Sequence, residues 1–148
     1  GTLAPPAPSF ASWQQDQFTP AQLADVLISG PNADPDQDGI VNLLEYAFLA
    51  APLSPNRPGD FIQAGTTSIG PETYLTITFP ARDPVDDLFY QPQISGNLAR
   101  WDEGTAHLIP TSNIDQGNGI RALTYRSILP VSTRESQYVR VRVIRNNP

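Results

Sequence analysis

The chain has no cysteine, so disulfides, thiolate metal sites and a cysteine nucleophile are excluded, and stability must come from elsewhere. It has no lysine either. The positive charge rests on nine arginines, which removes Schiff-base chemistry and a serine–lysine dyad. A single histidine is too few for a histidine metal cluster. No stretch approaches the ~20 apolar residues needed to cross a bilayer, and the most apolar run, 41–53, is interrupted by Glu45. There is no basic cluster. With a net charge of −6 and a pI near 4.5, the chain offers nucleic acid no concentrated positive face. Residues 1–3 carry no leader pattern, as expected of a mature chain or of a piece of a longer protein.

What is present fits a turn-rich globular domain. The 148 residues are enough to bury ~70% of the surface that the unfolded chain would expose. With 39% apolar residues, 16 prolines and 10 glycines, short elements joined by turns are expected rather than long helices. The acidity is concentrated early: residues 1–81 hold one arginine against eight acids, and residues 82–148 hold eight arginines against seven.

Three segments follow. Residues 1–9 form a proline-rich arm or linker, predicted to dock on its own β domain or on a neighbouring subunit. Residues 10–56 are helical in pattern. Thr19-Pro20-Ala21-Gln22 is a capping box with proline at the first helical position, which predicts a helix over 20–28 carrying apolar Leu23, Val26 and Leu27. A second helix is predicted over 42–50, with Leu43, Leu44, Ala47 and Phe48 on its buried side. From residue 57 the period changes to two. Leu75, Ile77 and Phe79 alternate with Thr76 and Thr78, and Val139, Val141 and Val143 alternate with Arg140 and Arg142, as in half-buried strands. Further strands are predicted at 61–64, 88–94 (at an edge or bulge, because Pro92 cannot donate to a ladder), 106–109 and 121–129. Turns are expected at Ser95-Gly96-Asn97 and at 115–119. The expected fold is mainly β with a small α part: an N-terminal EF-hand-like helix-loop-helix on an antiparallel β-sandwich spanning 57–148, with 10–148 as one unit.

Between the two helices lies Asp34-Pro35-Asp36-Gln37-Asp38-Gly39-Ile40-Val41-Asn42-Leu43-Leu44-Glu45, which satisfies the whole pattern D-x-[DN]-x-[DN]-G-x5-E. Asp34, Asp36 and Asp38 would supply carboxylate oxygens, Gly39 a positive φ, and Ile40 its backbone carbonyl. Asn42 would act directly or through water, and Glu45 with both oxygens. Crowded oxygen ligands on a flexible loop suit calcium better than magnesium. The competing account is a solvated acidic turn that caps the second helix, but four carboxylates in twelve residues would repel one another without a cation.

The loop resembles EF-hand, dockerin and thrombospondin type 3 calcium loops. Its surroundings carry a further resemblance: Phe10-Ala11-Ser12-Trp13, then the run from Phe18 through Asp25, then Gly30-Pro31-Asn32-Ala33-Asp34 and Asn42-Leu43-Leu44-Glu45-Tyr46-Ala47-Phe48. These are similar to a segment near the C-terminus of large secreted proteins of Verrucomicrobia-type and Planctomycetes-type bacteria. In that family a β domain follows, with motifs like Ile94-Ser95-Gly96-Asn97-Leu98-Ala99-Arg100-Trp101 and Tyr138-Val139-Arg140-Val141-Arg142-Val143. The resemblance implies a secreted or cell-surface accessory module without a catalytic role. Dockerins carry two such loops and this chain has one, so cohesin binding does not carry over. Val41, whose counterpart pairs with a second loop in EF-hand pairs, is expected to rest on the β domain or on Trp13.

Other candidates have plainer accounts. His107 would be the histidine of any catalytic triad, and an ordinary strand residue otherwise. Asp83, Asp86 and Asp87 would make a second ion site, or else a solvated loop. Arg126, Arg140 and Arg142 would line a face for acidic polysaccharide, and Tyr90, Tyr125 and Trp101 would stack on sugar rings, or else fill the core. The expected function is a non-catalytic, calcium-stabilised structural or adhesive module of an extracellular or cell-surface assembly, binding calcium and itself or other surface proteins. The alternative is a carbohydrate-binding accessory module of a secreted enzyme. Neither nucleic acid binding nor membrane insertion is expected.

Overall fold

The computed structural model describes residues 9–50, 52–53, 55, 61–83, 85, 87–133 and 136–145. The arm predicted at 1–9 therefore lies outside the described residues apart from Ser9, as does Asp86.

Among the described residues four short helices come first. Helix α1, Phe10–Gln17, opens on Ser9, whose hydroxyl accepts from the Ser12 amide while the Ser12 hydroxyl answers the Ser9 amide. Helix α2, Pro20–Leu23, uses the predicted box of Thr19 and Gln22. The single helix expected over 20–28 is instead split. Asp25 leaves the helical conformation (φ −109°, ψ 104°), and its carboxylate caps a new helix, α3, Val26–Ser29, through the Leu27 amide. A side chain that bonds its own local backbone competes with helix continuation. In this arrangement Val26 and Leu27 are 69% and 81% exposed. Helix α4, Asn42–Ala47, stops before the predicted residue 50, with Leu49 at φ +64°.

Six antiparallel strands follow among the described residues: β1 Gln63–Ile69, β2 Glu72–Arg82, β3 Leu88–Ser95, β4 Leu108–Gly117, β5 Ile120–Ser127 and β6 Tyr138–Arg145. They form a four-stranded sheet in the order β1-β2-β5-β4 and a two-stranded sheet of β3 and β6. The chain is thus mainly β, with few helices. The predicted alternation holds: Ile77 and Phe79 are buried at 0% and 1% exposure, and Arg140 and Arg142 face solvent while their valine neighbours are half-buried. Pro92 pairs opposite Val141 in β3. Its strand has a single ladder neighbour, as a missing N–H requires. Strand β4 runs further than predicted, because the turn expected over 115–119 is compressed to Asn118 and Gly119, at φ 57° and 76°. Two successive left-handed residues make the tight hairpin turn that matches strand twist.

One apolar cluster joins the helices to the sheets: Phe10, Trp13 and Phe18 from the α1 region, Tyr46, Ala47 and Phe48 from the α4 region, Ile77, Phe79 and Ala81 from β2, and Leu88 from β3. Trp13 lies within 5.5–6.0 Å of the rings of Phe10, Phe18 and Tyr46. Burying each such side chain contributes about 1.5–3 kcal/mol.

The junction between α4 and the sheets is also polar. Tyr46 is fully buried and donates its hydroxyl to Asp87 Oδ1 at 2.9 Å, while Asp87 Oδ2 accepts from the Phe10 amide at 2.7 Å. Arg82 Nε donates to the Tyr46 carbonyl at 2.7 Å, and its guanidinium lies 4.4 Å from the Tyr46 ring centre. Tyr90 donates to the Ala47 carbonyl. Burial pushes the Tyr90 phenol up to about 12 and lowers Arg82 from its usual value. Asp87→Ala removes the acceptor shared by the Tyr46 hydroxyl and the Phe10 amide at this junction. The expected loss is roughly 1–3 kcal/mol of unfolding free energy, read by urea denaturation, and an unchanged midpoint would show the clasp to be idle.

Candidate metal centre

The loop from Pro31 to α4 is closed by its own backbone. The Asn42 amide donates to the Ala33 carbonyl at 2.9 Å and the Leu43 amide to the Pro31 carbonyl at 3.0 Å. Within it, aspartates organise the turn. Asp34 Oδ2 accepts from the Gly39 amide at 2.9 Å, Asp38 Oδ1 accepts from the Ile40 amide at 2.8 Å, and the Asp38 amide lies 3.3 Å from both Asp34 Oδ1 and Asp36 Oδ1. Gly39 takes the predicted positive φ, +85°, with nothing near the position a Cβ would occupy. Gln37 also adopts a left-handed conformation, φ 55°, which the pattern does not signal.

These turns gather one carboxylate oxygen each from Asp34, Asp36, Asp38 and Glu45 within 4.8 Å of one another. Glu45 is 0% exposed, yet neither of its oxygens has a hydrogen-bond partner among the described residues. Asp36 Oδ2 and Asn42 Oδ1 are likewise buried without one. Burial, then the charges of Asp36 and Asp38, pushes the Glu45 carboxyl up to about 8. Burial, with the neighbouring Asp34 and Asp38 carboxyls, pushes Asp36 up to about 6. Carboxylates so placed carry an electrostatic cost that a cation removes, and an all-oxygen donor set selects a hard metal. The residues fit a metal ion.

Asn42 does more than predicted. Its Nδ2 donates to the carbonyls of Ile28 and Gly30 at 2.8 and 2.9 Å, tying α4 to the end of α3 and leaving Oδ1 as the free acceptor. Asn42→Asp exchanges that donor for an acceptor facing two carbonyls. The metal-free protein should lose roughly 2–3 kcal/mol, seen as a lower denaturation midpoint in metal-free buffer, whereas a pure ligand role predicts no such loss. Ile40, expected to lend its carbonyl, is buried at 3%. Val41 stays partly exposed and outside the apolar cluster, so it does not take the packing expected of it on the β domain or on Trp13.

The remaining candidates separate. Asp87 is committed to Tyr46 and Phe10, and Asp83 sits 3.7 Å from Arg121 Nη1 with its side chain 58% exposed, so the pair expected to help hold a second ion is already engaged elsewhere. His107 precedes β4 in a turn rather than lying within a strand, its amide donating to the Gly104 carbonyl. It lines a cleft of about 420 Å³ with Gly96, Asn97, Arg100 and Asp102, and a second, small cavity with Asp102 and Ser127, whose hydroxyl donates to the Leu129 carbonyl and accepts from the Leu75 amide. The residues expected to hold sugar or polysaccharide do not form one face. Tyr90 and Tyr125 stack on Phe79 in the core, at 5.9 and 6.1 Å, because the register opposes Tyr90 to Val143 and Tyr125 to Ile77. Arg126 lies over Tyr74 on the four-stranded sheet, and Arg140 lies over Trp101 beside the two-stranded one.

Comparison with protein-family models, curated proteins and solved structures found no match. Among the described residues no helix is long and apolar enough to cross a membrane.

Proposed function

We propose that the loop binds one calcium ion through Asp34, Asp36, Asp38, the Ile40 carbonyl, Asn42 and Glu45, and that the ion locks an EF-hand-like helical segment onto a β-sandwich. The observation that carries this is Glu45, a fully buried carboxylate with both oxygens unpartnered, facing three aspartates. Its immediate neighbour Tyr46 is gripped by Asp87 and Arg82, so an ion that fixes Glu45 fixes α4 against β2 and β3. The module is non-catalytic and serves a structural or adhesive role in a secreted or cell-surface assembly. There, calcium is abundant enough to fill sites of the 10⁻⁴–10⁻³ M class, and a chain without disulfides needs such a lock. Titrating metal-free protein with calcium in a calorimeter should give one site per chain, with magnesium at the same concentration giving little heat. Absence of calcium binding, or equal preference for magnesium, overturns the proposal.

A further inference from the structure

Away from the metal loop, a groove of about 520 Å³ lies along the four-stranded sheet, with the core residues Phe48 and Phe79 also in its lining, within the range of small-ligand sites. Thr78 and Pro80 of β2 and Ala122 of β5 contribute to its floor. Their register, Thr78 opposite Thr124 and Pro80 opposite Ala122, places them on the face opposite the buried Ile77 and Phe79. Phe61 stands at one side, half-buried and stacked on Phe48 at 5.2 Å with 9° between the rings. Gln63 of β1 and Gln116 of β4 lie on the outer strands, offset along the strands by the register and roughly 18 Å apart. Gln116 falls where the β4 register slips between Asp115 and Gly117, and such a bulge re-aims a side chain.

Two features define the ligand. Every described lining residue is uncharged, in a chain of net charge −6, so no described residue of the groove offers an ionic group a counter-charge. Both glutamine side chains are exposed and without a hydrogen-bond partner among the described residues, and each amide offers donors and an acceptor together. A hydroxyl group has the same dual character. We propose that this groove binds a neutral saccharide, its C–H faces resting on Phe61, Pro80 and Ala122, its hydroxyls meeting Gln63, Gln116 and Thr78. The proposal goes beyond the calcium reading and does not depend on it.

The test is calorimetric, on the calcium-supplied protein, with neutral gluco-, xylo- and manno-hexasaccharides and with hexagalacturonate as the acidic counterpart. At least one neutral oligomer should bind. Gln63→Ala combined with Gln116→Ala should weaken that binding at least about tenfold, the loss of two hydrogen bonds, with an unchanged melting temperature because both side chains are exposed. Arg140→Ala with Arg142→Ala, on the other sheet, should leave it unchanged. Phe61→Ala is less suitable, since it also strips a ring from Phe48. The proposal fails if no neutral oligomer binds, if the double glutamine variant binds as tightly as the parent, or if hexagalacturonate alone binds and requires the arginines.

Discussion

Glu45→Gln should move stability in opposite directions depending on calcium. In metal-free buffer near pH 8 the variant should melt above the parent, because an uncharged amide replaces a buried carboxylate that faces three others and can donate to Asp36 or Asp38. With calcium the order should invert. An ion that binds only the folded form adds RT ln(1 + [L]/Kd), about 2.7 kcal/mol at a hundredfold excess over Kd, or roughly 5–10 °C for a domain of this size. The variant, deprived of the bidentate anionic ligand, should lose most of that gain. Asp36→Asn should lose less, since the pattern tolerates asparagine there. Thermal melts of the three proteins, each with and without calcium, give the answer. A parent that melts at one temperature in both buffers, or a variant that keeps the parent's gain, removes calcium from the account of this fold.

The crossing of those curves would also explain which parts of the site the sequence disclosed. The twelve-residue loop was legible because its ligands are local: aspartates at alternate positions, each bonding an amide two to five residues ahead, with a glycine where φ must be positive. The strands of Ile77, Phe79, Val139 and Val141 were legible because one buried face imposes a period of two. What escaped was set at long range or by competition. Asp87 reaches Phe10 and Tyr46 across 77 and 41 residues, and no local pattern marks it among its acidic neighbours. Tyr90 and Tyr125 look like sugar platforms until pairing register turns both toward Phe79. The split at Asp25 was readable in principle, since aspartate before an apolar run is an N-cap signal, but the capping box at Thr19 masked it. Asn42 looked like a ligand and is also a clamp, a role fixed by carbonyls of Ile28 and Gly30 that only the folded chain brings near.

The second large effect concerns pH. In the unfolded chain Asp36 and Glu45 titrate near 4, whereas in the metal-free fold they are pushed up to about 6 and about 8. Both groups hold their protons more tightly when folded. Their contribution to stability is therefore complete below about pH 4 and is lost as pH rises through 6 and then 8. Calcium reverses the sign, because it binds the deprotonated ligands and competes with the same protons. The calcium-induced rise in melting temperature should be small at pH 5 and largest at pH 8 and above. Binding near pH 7 should release roughly one proton per ion, visible as a dependence of the calorimetric enthalpy on the buffer's ionisation heat. Protein and buffers should be stripped of metal on a resin, since carboxylate chelators themselves weaken in acid. In Glu45→Gln the Glu45 share disappears, and the metal-free stability should lose most of its decline between pH 6 and 8. If the metal-free parent instead gains stability across that interval, the buried carboxylate is already compensated by the protein itself, and the loop needs no ion to hold its shape.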